Sequence, residues 1–536
     1  MCSIHAVLPA RAQAPEVEAL PQSAVDAFYL AREGDPVWIE KNNLTQDGHD
    51  LIDILRLSWM HGLNPKRYHI EHIDTLLDEK SWGGFSQEES LALELTLTDG
   101  YIRYSQDLSG MRVNARSLGL RPKDWKQQIS EEGALTFLSE HKNEIKAFLL
   151  SIEPQGHTYQ RLKKELAVLV EQAREVEGLE VEPPLYSKHI LRPGRSYEVI
   201  PQLRTKLGGV LDDQVEGEID PYLYDPQLTE MVKGFQHQKG LKADGFVGPQ
   251  TFHALNHNIY NKINQIVVNM ERLRWVHDEK PERFIVVNIP SATLWAVDGG
   301  DVVHEMPVVV GRKKRATPSF ITTVHGVRLN PTWTIPPTIK EEDIWPKLIE
   351  NPQYLSDKGI ELYEGYEKNA PTLDPTVVEW SALRKADLHG FRMVQVPGGH
   401  NPLGYIRVLM PNEYNIYLHD TNDKSLFLRT DRAKSSGCVR LKEPHKIASF
   451  ILEARRKWND DRIDDTLKKG EMTDVYTQER MPVYMLYYTV WVGDKNQIVY
   501  GMDIYDRDKT LTQAIENLDG FSILGDNDVR IVQFVD

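Results

Sequence analysis

Two stretches late in the chain bring together the residue types that acyl transfer needs. Tyr417-Leu418-His419-Asp420-Thr421 is followed, after a polar connection, by Arg432-Ala433-Lys434-Ser435-Ser436-Gly437-Cys438-Val439-Arg440-Leu441. Cysteine attacks as the thiolate, and a free thiol with a pKa of about 8.5 is mostly protonated at neutral pH, so an imidazole or a positive charge must activate it. His419 supplies the imidazole. Its separation of 19 residues from Cys438 lets His419 end one strand and Cys438 begin the next element after a loop. Gly437 can take backbone conformations closed to residues with a Cβ, which would aim the nearby amides at a developing oxyanion. Arg440, Arg432 and Lys434 make the surroundings basic, which favours the thiolate and attracts a substrate bearing carboxylates. On residue types alone two other readings stay open. An isolated Cys is commonly a small buried hydrophobe, and Ser435 or Ser436 is a conceivable nucleophile, although a hydroxyl is harder to ionise.

The order of the pair is also informative. His419 precedes Cys438, whereas in papain-like enzymes the Cys comes first by a long stretch. Asp420 adjoins His419, but neighbouring strand residues point to opposite faces, so a backbone carbonyl is the expected partner of the imidazole.

The elements that must position these groups change along the chain, giving an α+β multidomain reading. Residues 24–182 carry helical spacing, with Leu51, Ile54, Leu55 and Trp59 in one stripe and Tyr159, Leu162, Leu166, Leu169 and Ala173 in another. This is a helical scaffold, in which Gly62 and Pro65 read as a helix stop. Glu180-Val181-Glu182-Pro183-Pro184 reads as a linker. Residues 185–258 form a small module of short helices broken by glycine turns. His237, His253 and His257 lie there without the acids or thiols a metal site needs.

From residue 266 to about 510 the texture is mostly β, with strands expected at 284–289, 293–297, 306–310, 393–396, 405–410, 414–419 and 482–501. A long interruption at 339–390, holding Trp345, Tyr354, Tyr363, Tyr366 and Trp380, reads as a capping insertion over a cleft. Residues 511–536 form a tail with no assigned role.

Composition bounds the rest. With 536 residues, 40% hydrophobic and 26% charged, the chain is long enough for three or four folded domains. The 63 basic against 79 acidic side chains leave a net charge of −16, which argues against nucleic acid as a partner. The two cysteines, Cys2 and Cys438, are too few for a disulfide framework or a thiolate metal cluster. Residues 1–23 read as a leader or disordered segment, in which Ala12-Gln13-Ala14 is similar to the cleavage end of a secretory signal.

The run HDT followed by SSGCVR resembles the catalytic signature of the L,D-transpeptidases of the YkuD type, in particular their large multidomain Gram-negative members. The likeness extends over HGLNPKRY, VNIPSATLWAV, VVVGRKKRATPSF, LNPTWTIPPTI, GGHNPLGYIRVLMPNEYNIYLHDT and the closing PVYMLYYTVWVGDKNQIVYGMDIYDRD. Residues 185–258, with their FQ, GL, DG and GPQT elements, resemble a three-helix peptidoglycan-binding module.

The resemblance implies a periplasmic cell-wall enzyme acting on peptidoglycan tetrapeptide stems, as donor and acceptor. Cys438 would attack the third residue, a diamino acid, and expel D-alanine; a second stem's amine would take the acyl group in a 3→3 cross-link. His419 would move the proton, the amides around Gly437 and Cys438 would hold the oxyanion, and Arg440, Tyr417 and Ser436 would contact substrate. Neither metal nor organic cofactor is implied. Carbapenems would acylate Cys438, and other cell-wall synthesis enzymes are conceivable partners. Water as acceptor would give an L,D-carboxypeptidase, and a lipoprotein lysine would give an attaching enzyme. A non-catalytic wall-binding scaffold and a hydrolase of existing cross-links are the alternatives of other classes.

Overall fold

The computed structural model describes residues 23–78, 84–141, 143–175, 185–208, 220–239, 241–453, 458–493 and 495–519. The Ala12-Gln13-Ala14 triplet, the Glu180–Pro184 linker and the tail from Gly520 onward lie outside the described residues. The chain divides into two compact units, residues 1–278 with 489–536 and residues 279–488. Among the described residues no helix is long and apolar enough to cross a membrane.

In the first unit, helix Gln87–Ser109 begins with a reciprocal cap. The Ser86 hydroxyl accepts from the Glu89 N–H, and the Glu89 carboxylate accepts from the Ser86 N–H. Leu93, Leu97, Tyr101, Tyr104 and Leu108, three or four residues apart, face a core that includes Trp38, Leu51, Leu55 and Tyr68. Gly62, at φ +67°, closes the short turn Leu57–His61. Helix His157–Glu175 buries the expected stripe from Tyr159 to Ala173.

Three further helices, Ile200–Lys206, Pro226–Gln238 and Pro249–Asn256, pack around Leu203, Leu228, Val232 and Val247. Buried Gln236 accepts from the Gly245 N–H at 2.9 Å and donates to the Phe246 carbonyl at 2.9 Å, which fastens the glycine turn to the helix before it. The His257 Nε2 pairs with Gln265 Oε1 at 2.9 Å, and no cluster able to hold a metal occurs among the described residues.

The first unit also takes in segments that the sequence reading gave wholly or in part to the catalytic domain. Helix Ile259–Arg274 belongs to it, as do the hairpin Val490–Val492 with Ile498–Tyr500 and helix Arg507–Asp519. Polar ties made out of water hold them. The Asn269 side chain donates to Thr489 Oγ1 at 2.7 Å and accepts from the Thr489 N–H at 2.9 Å. Arg112 joins Glu271 at 2.8 Å and Asp519 at 2.9 Å. The 266–510 span therefore ends, as a compact unit, at Tyr488. A hydropathy pattern does not separate Val490–Val492 from the end of the strand Thr473–Leu486, because the run PVYMLYYTVWV continues through both without a charge.

The second unit is built on a nine-stranded sheet. Its order is Ala433–Ser435, Asp301–Gly311, Val439–Leu441, Leu418–His419, Ile406–Leu409, Phe320–Leu329, Thr473–Leu486, Arg283–Asn288 and Thr293–Asp298. Thr293–Asp298 also pairs with Asp301–Gly311, so the sheet closes on itself. Alternation sets the faces: Ile285 and Val287, then Leu294 and Ala296, point into the core.

The insertion is larger than 339–390 and has a sheet of its own, ordered Trp333–Thr334, Phe391–Gln395, Ile360–Glu364 and Thr372–Leu373. The strand expected at 393–396 is part of this smaller sheet. Its separate core contains Ile344, Leu348, Leu362, Trp380 and Met393. Buried Lys340 is satisfied by the Tyr366 hydroxyl at 2.9 Å and by the Leu388 and Phe391 carbonyls at 3.0 and 2.7 Å.

Candidate active site

Two short parallel strands position the sulfur and the imidazole. Leu418 pairs with Val439 and His419 with Arg440, and the Val439 N–H donates to the Tyr417 carbonyl at 2.8 Å. Continuing that register, Cys438 lies beside Tyr417. Side chains two apart share a face, so Tyr417, His419, Cys438 and Arg440 project together while Leu418 and Val439 enter the core. One strand spacing across and two residues along places the Cys438 and His419 Cα atoms about 8 Å apart.

The bend before Cys438 is fastened from within. Gly437 has φ +116°, and a Cβ there would meet the Ile416 Cδ1 at 3.2 Å. The Gly437 N–H donates to the Ser435 Oγ at 3.1 Å, and that hydroxyl donates to the Cys438 carbonyl at 2.5 Å. Thr317, fully buried, donates to the Gly437 carbonyl at 2.7 Å and accepts from the Gly311 N–H at 2.9 Å.

Ser435 is therefore an internal clasp, without a free hydroxyl to attack substrate. The expected oxyanion role of Gly437 also changes. Its amide is committed to Ser435, and its contribution is the conformation that only glycine adopts easily. The Cys438 N–H makes no hydrogen bond among the described residues, which leaves it the amide available to an oxyanion.

His419 is buried, and its Nδ1 lies 2.5 Å from the carbonyl oxygen of Asp420. A carbonyl only accepts, so Nδ1 carries the hydrogen and Nε2 keeps its lone pair. Burial lowers the imidazole pKa to about 3, with the Arg440 and Arg407 charges adding to the effect against the pull of the Asp420 and Leu403 carbonyls. The ring is thus a neutral base. The Asp420 carboxylate serves a different loop, accepting from the Tyr405 N–H at 3.0 Å and from Lys424.

The thiol differs from the sequence expectation. Burial raises its pKa, while the Tyr417 backbone N–H, Arg407 and Arg440 act in the opposite direction without overcoming it. The resting sulfur is a thiol that donates to the Asn415 carbonyl at 3.7 Å. Cys438 is nevertheless only partly buried, so it is not a core residue.

Two of the three basic neighbours in sequence point elsewhere. Arg432 donates to the Ser291 carbonyl at 2.9 Å and to the Ala292 and Val308 carbonyls at 3.2 Å, and Lys434 pairs with Asp431. Arg440 remains, with its Nη1 3.3 Å from Thr421 Oγ1. Exposed Ser436 accepts from Arg315 at 3.0 Å.

Sequence reasoning missed Arg407, Arg315, Thr317 and Asn415. Arg407 comes from a different strand and pairs with His419 across the sheet. Its guanidinium lies 3.7 Å from the Tyr417 ring centroid. The one available signal was a lone charge in the apolar run Ile406–Leu409.

Three family models match the chain: a scaffold domain over residues 23–166, a provisionally described peptidoglycan-binding domain over 204–255, and the YkuD L,D-transpeptidase catalytic domain over 282–484. A Haemophilus influenzae protein that carries the provisional name of L,D-transpeptidase is 32% identical over 259 residues. That match covers 48% of this chain and 51% of the relative, so the chain spans about half the length of the curated protein it matches.

Among solved structures, an L,D-transpeptidase from Mycobacterium smegmatis is 15% identical, covering 38% of this chain and 58% of its own, with a TM-score of 0.19. An L,D-transpeptidase from Xylanimonas cellulosilytica is 14% identical, covering 57% and 100%, with a TM-score of 0.18. Residues 282–484 are thus similar to the YkuD L,D-transpeptidase catalytic domain, whose family model they match.

Proposed function

We propose that the protein is a cysteine-dependent L,D-transpeptidase that forms 3→3 cross-links between peptidoglycan tetrapeptide stems. The observation that carries this reading is the shared face of Cys438 and His419 on adjacent parallel strands, with a neutral imidazole and a partly exposed thiol.

The chemistry divides into two acyl transfers. A turn about the Cys438 side chain brings the sulfur from Asn415 towards His419 Nε2, which takes the thiol proton as sulfur attacks the carbonyl of the donor's third residue. The Cys438 N–H stabilises the resulting oxyanion. Collapse breaks the peptide bond, the imidazolium returns its proton to the departing D-alanine amine, and a thioester remains. The side-chain amine of a second stem then attacks the thioester. His419 takes the amine's proton and gives it to the leaving sulfur, restoring the thiol.

Proton transfer concerted with attack suits a pair whose resting forms are both neutral. The same electrophilic path would let a carbapenem acylate Cys438. The insertion would act as the cap over the donor, Ser436 would line its entrance, and the three-helix module would hold the enzyme on the wall. Because this substrate lies outside the cytoplasmic membrane, the enzyme would work in the periplasm.

Mass spectrometry of tetrapeptide muropeptides incubated with the full chain tests the reading. Dimer formation with loss of D-alanine is expected, and Cys438→Ala and Cys438→Ser should abolish it. Loss of D-alanine without dimers would make the protein a carboxypeptidase, and undiminished activity in both variants would exclude Cys438 as the nucleophile.

A further inference from the structure

One row of residues crosses the catalytic sheet from strand to strand. Asp474 pairs with Arg328, Arg328 with Arg407, Arg407 with His419 and His419 with Arg440. Residues in register share a face, so this is a continuous polar strip. It sets two arginines directly opposite each other, an arrangement that is destabilising unless their charges are compensated.

Only one of them is compensated among the described residues. Arg328 grips the Asp474 carboxylate with two hydrogen bonds, Nε at 2.6 Å and Nη2 at 2.7 Å. Arg407 makes no ion pair with any acid among the described residues, and its buried Nε donates to nothing there. Its plane is held against the Tyr417 ring, an orientation that leaves the guanidinium edge for a planar acceptor. On the same face lie Cys438 and His419.

We propose that Arg407 is a specificity-determining residue that binds a carboxylate of the donor stem close to the carbonyl Cys438 attacks. This rests on the tetrapeptide reading above. Such a donor offers two carboxylates near that carbonyl, the terminal one of the leaving D-alanine and the one on the diamino acid side chain. A charge-assisted pair from a guanidinium already stacked in place fixes the orientation of the peptide as well as holding it. It also supplies an anion for Arg407, the arginine of the pair that Asp474 does not grip.

The test uses the full chain and three donors: the free tetrapeptide, its D-alanine carboxamide, and the form amidated on the diamino acid side chain. Rates are read by mass spectrometry for the natural sequence, Arg407→Lys and Arg407→Gln. Iodoacetamide labelling of Cys438 separately reports the state of the thiol.

For the natural sequence, one amidation should lower kcat/KM about tenfold or more, the range of a hydrogen bond to a charged group. Arg407→Gln should lose as much on the free donor and nothing further on that amide, with Arg407→Lys between the two. The amide that is discriminated identifies which carboxylate binds. Two results overturn the proposal: no discrimination between acid and amides by the natural sequence, or undiminished discrimination by Arg407→Gln. The first needs no variant to fold. If the natural sequence consumes no tetrapeptide while Cys438 is still alkylated, the functional reading fails and takes this site with it; turnover without discrimination removes the site alone.

Discussion

The Thr317 hydroxyl donates to the Gly437 carbonyl at 2.7 Å, and both residues are out of water. The same oxygen accepts from the Gly311 N–H, so one side chain ties the strand Asp301–Gly311 to the residue before Cys438. Thr317→Val keeps the shape and removes both partners. Taking the hydroxyl away from the buried Gly437 carbonyl should cost about 1–3 kcal/mol. The measurable consequence is a lower melting temperature together with about tenfold slower cross-linking, because the Cys438 amide loses its fixed aim. Thr317→Ser should restore most of both; unchanged turnover in Thr317→Val would detach this clasp from catalysis.

Gly437→Ala tests the bend itself. At φ +116° an L residue is strained at a cost of about 1–3 kcal/mol, and the new methyl would press on Ile416. Trimming Ile416 to Val in the same chain should recover little, since most of the penalty resides in the backbone. Cross-linking assays on the single and double variants should give nearly equal, strongly reduced rates.

The titration of the pair gives a pH signature with a definite sign. His419 has its folded-state pKa near 3, below the ordinary 6.5, so its contribution to stability is full above about pH 6.5 and is lost as pH falls towards 3. Between pH 7 and pH 5 the loss is about 2 kcal/mol, from the ordinary imidazole titrating in the unfolded chain. Hydrogen exchange of the Leu418–His419 strand should report it, and His419→Gln, which cannot titrate, should flatten it. Cys438 moves the other way: its raised pKa predicts iodoacetamide labelling that keeps accelerating with pH past 8.5. Arg440→Gln should push that rise still higher. A labelling curve that levels off near pH 6 would mean the thiolate is already formed.

The sequence made the juxtaposition of His419, Gly437 and Cys438 legible because the three lie within 20 residues, His419 and the residues after Cys438 falling on one strand pair. Helical stripes such as Tyr159 to Ala173 were equally plain, since burial on one side imposes the spacing. What stayed hidden depends on pairing between distant strands. Arg407 becomes part of the site only through its register with His419 and Arg328. Lys434 and Arg432 looked like activators of the thiol because local sequence does not reveal that Asp431 and four carbonyls claim them. The return of Thr489–Asp519 to the first unit was hidden for the same reason: the Asn269–Thr489 and Arg112–Asp519 ties span more than 200 residues.

Arg315 joins the insertion to the turn that precedes Cys438. Its Nη1 lies 3.0 Å from Ser436 Oγ and 2.8 Å from Asp343, while its Nη2 pairs with Glu342. The two acids occupy the irregular helical segment Lys340–Ile344, whose register departs from an ordinary α-helix. Glu342→Gln with Asp343→Asn removes the acids' charges while sparing the insertion's own core around Trp380 and Met393. If the cap holds the donor, the double variant should raise the donor KM about tenfold while iodoacetamide, which needs no cap, labels Cys438 at the original rate. Arg315→Gln should match it in KM and add a fall in kcat, because it also releases Ser436 beside Gly437. Equal loss of melting temperature and activity in both variants would instead make the bridge a structural strut with no part in substrate capture.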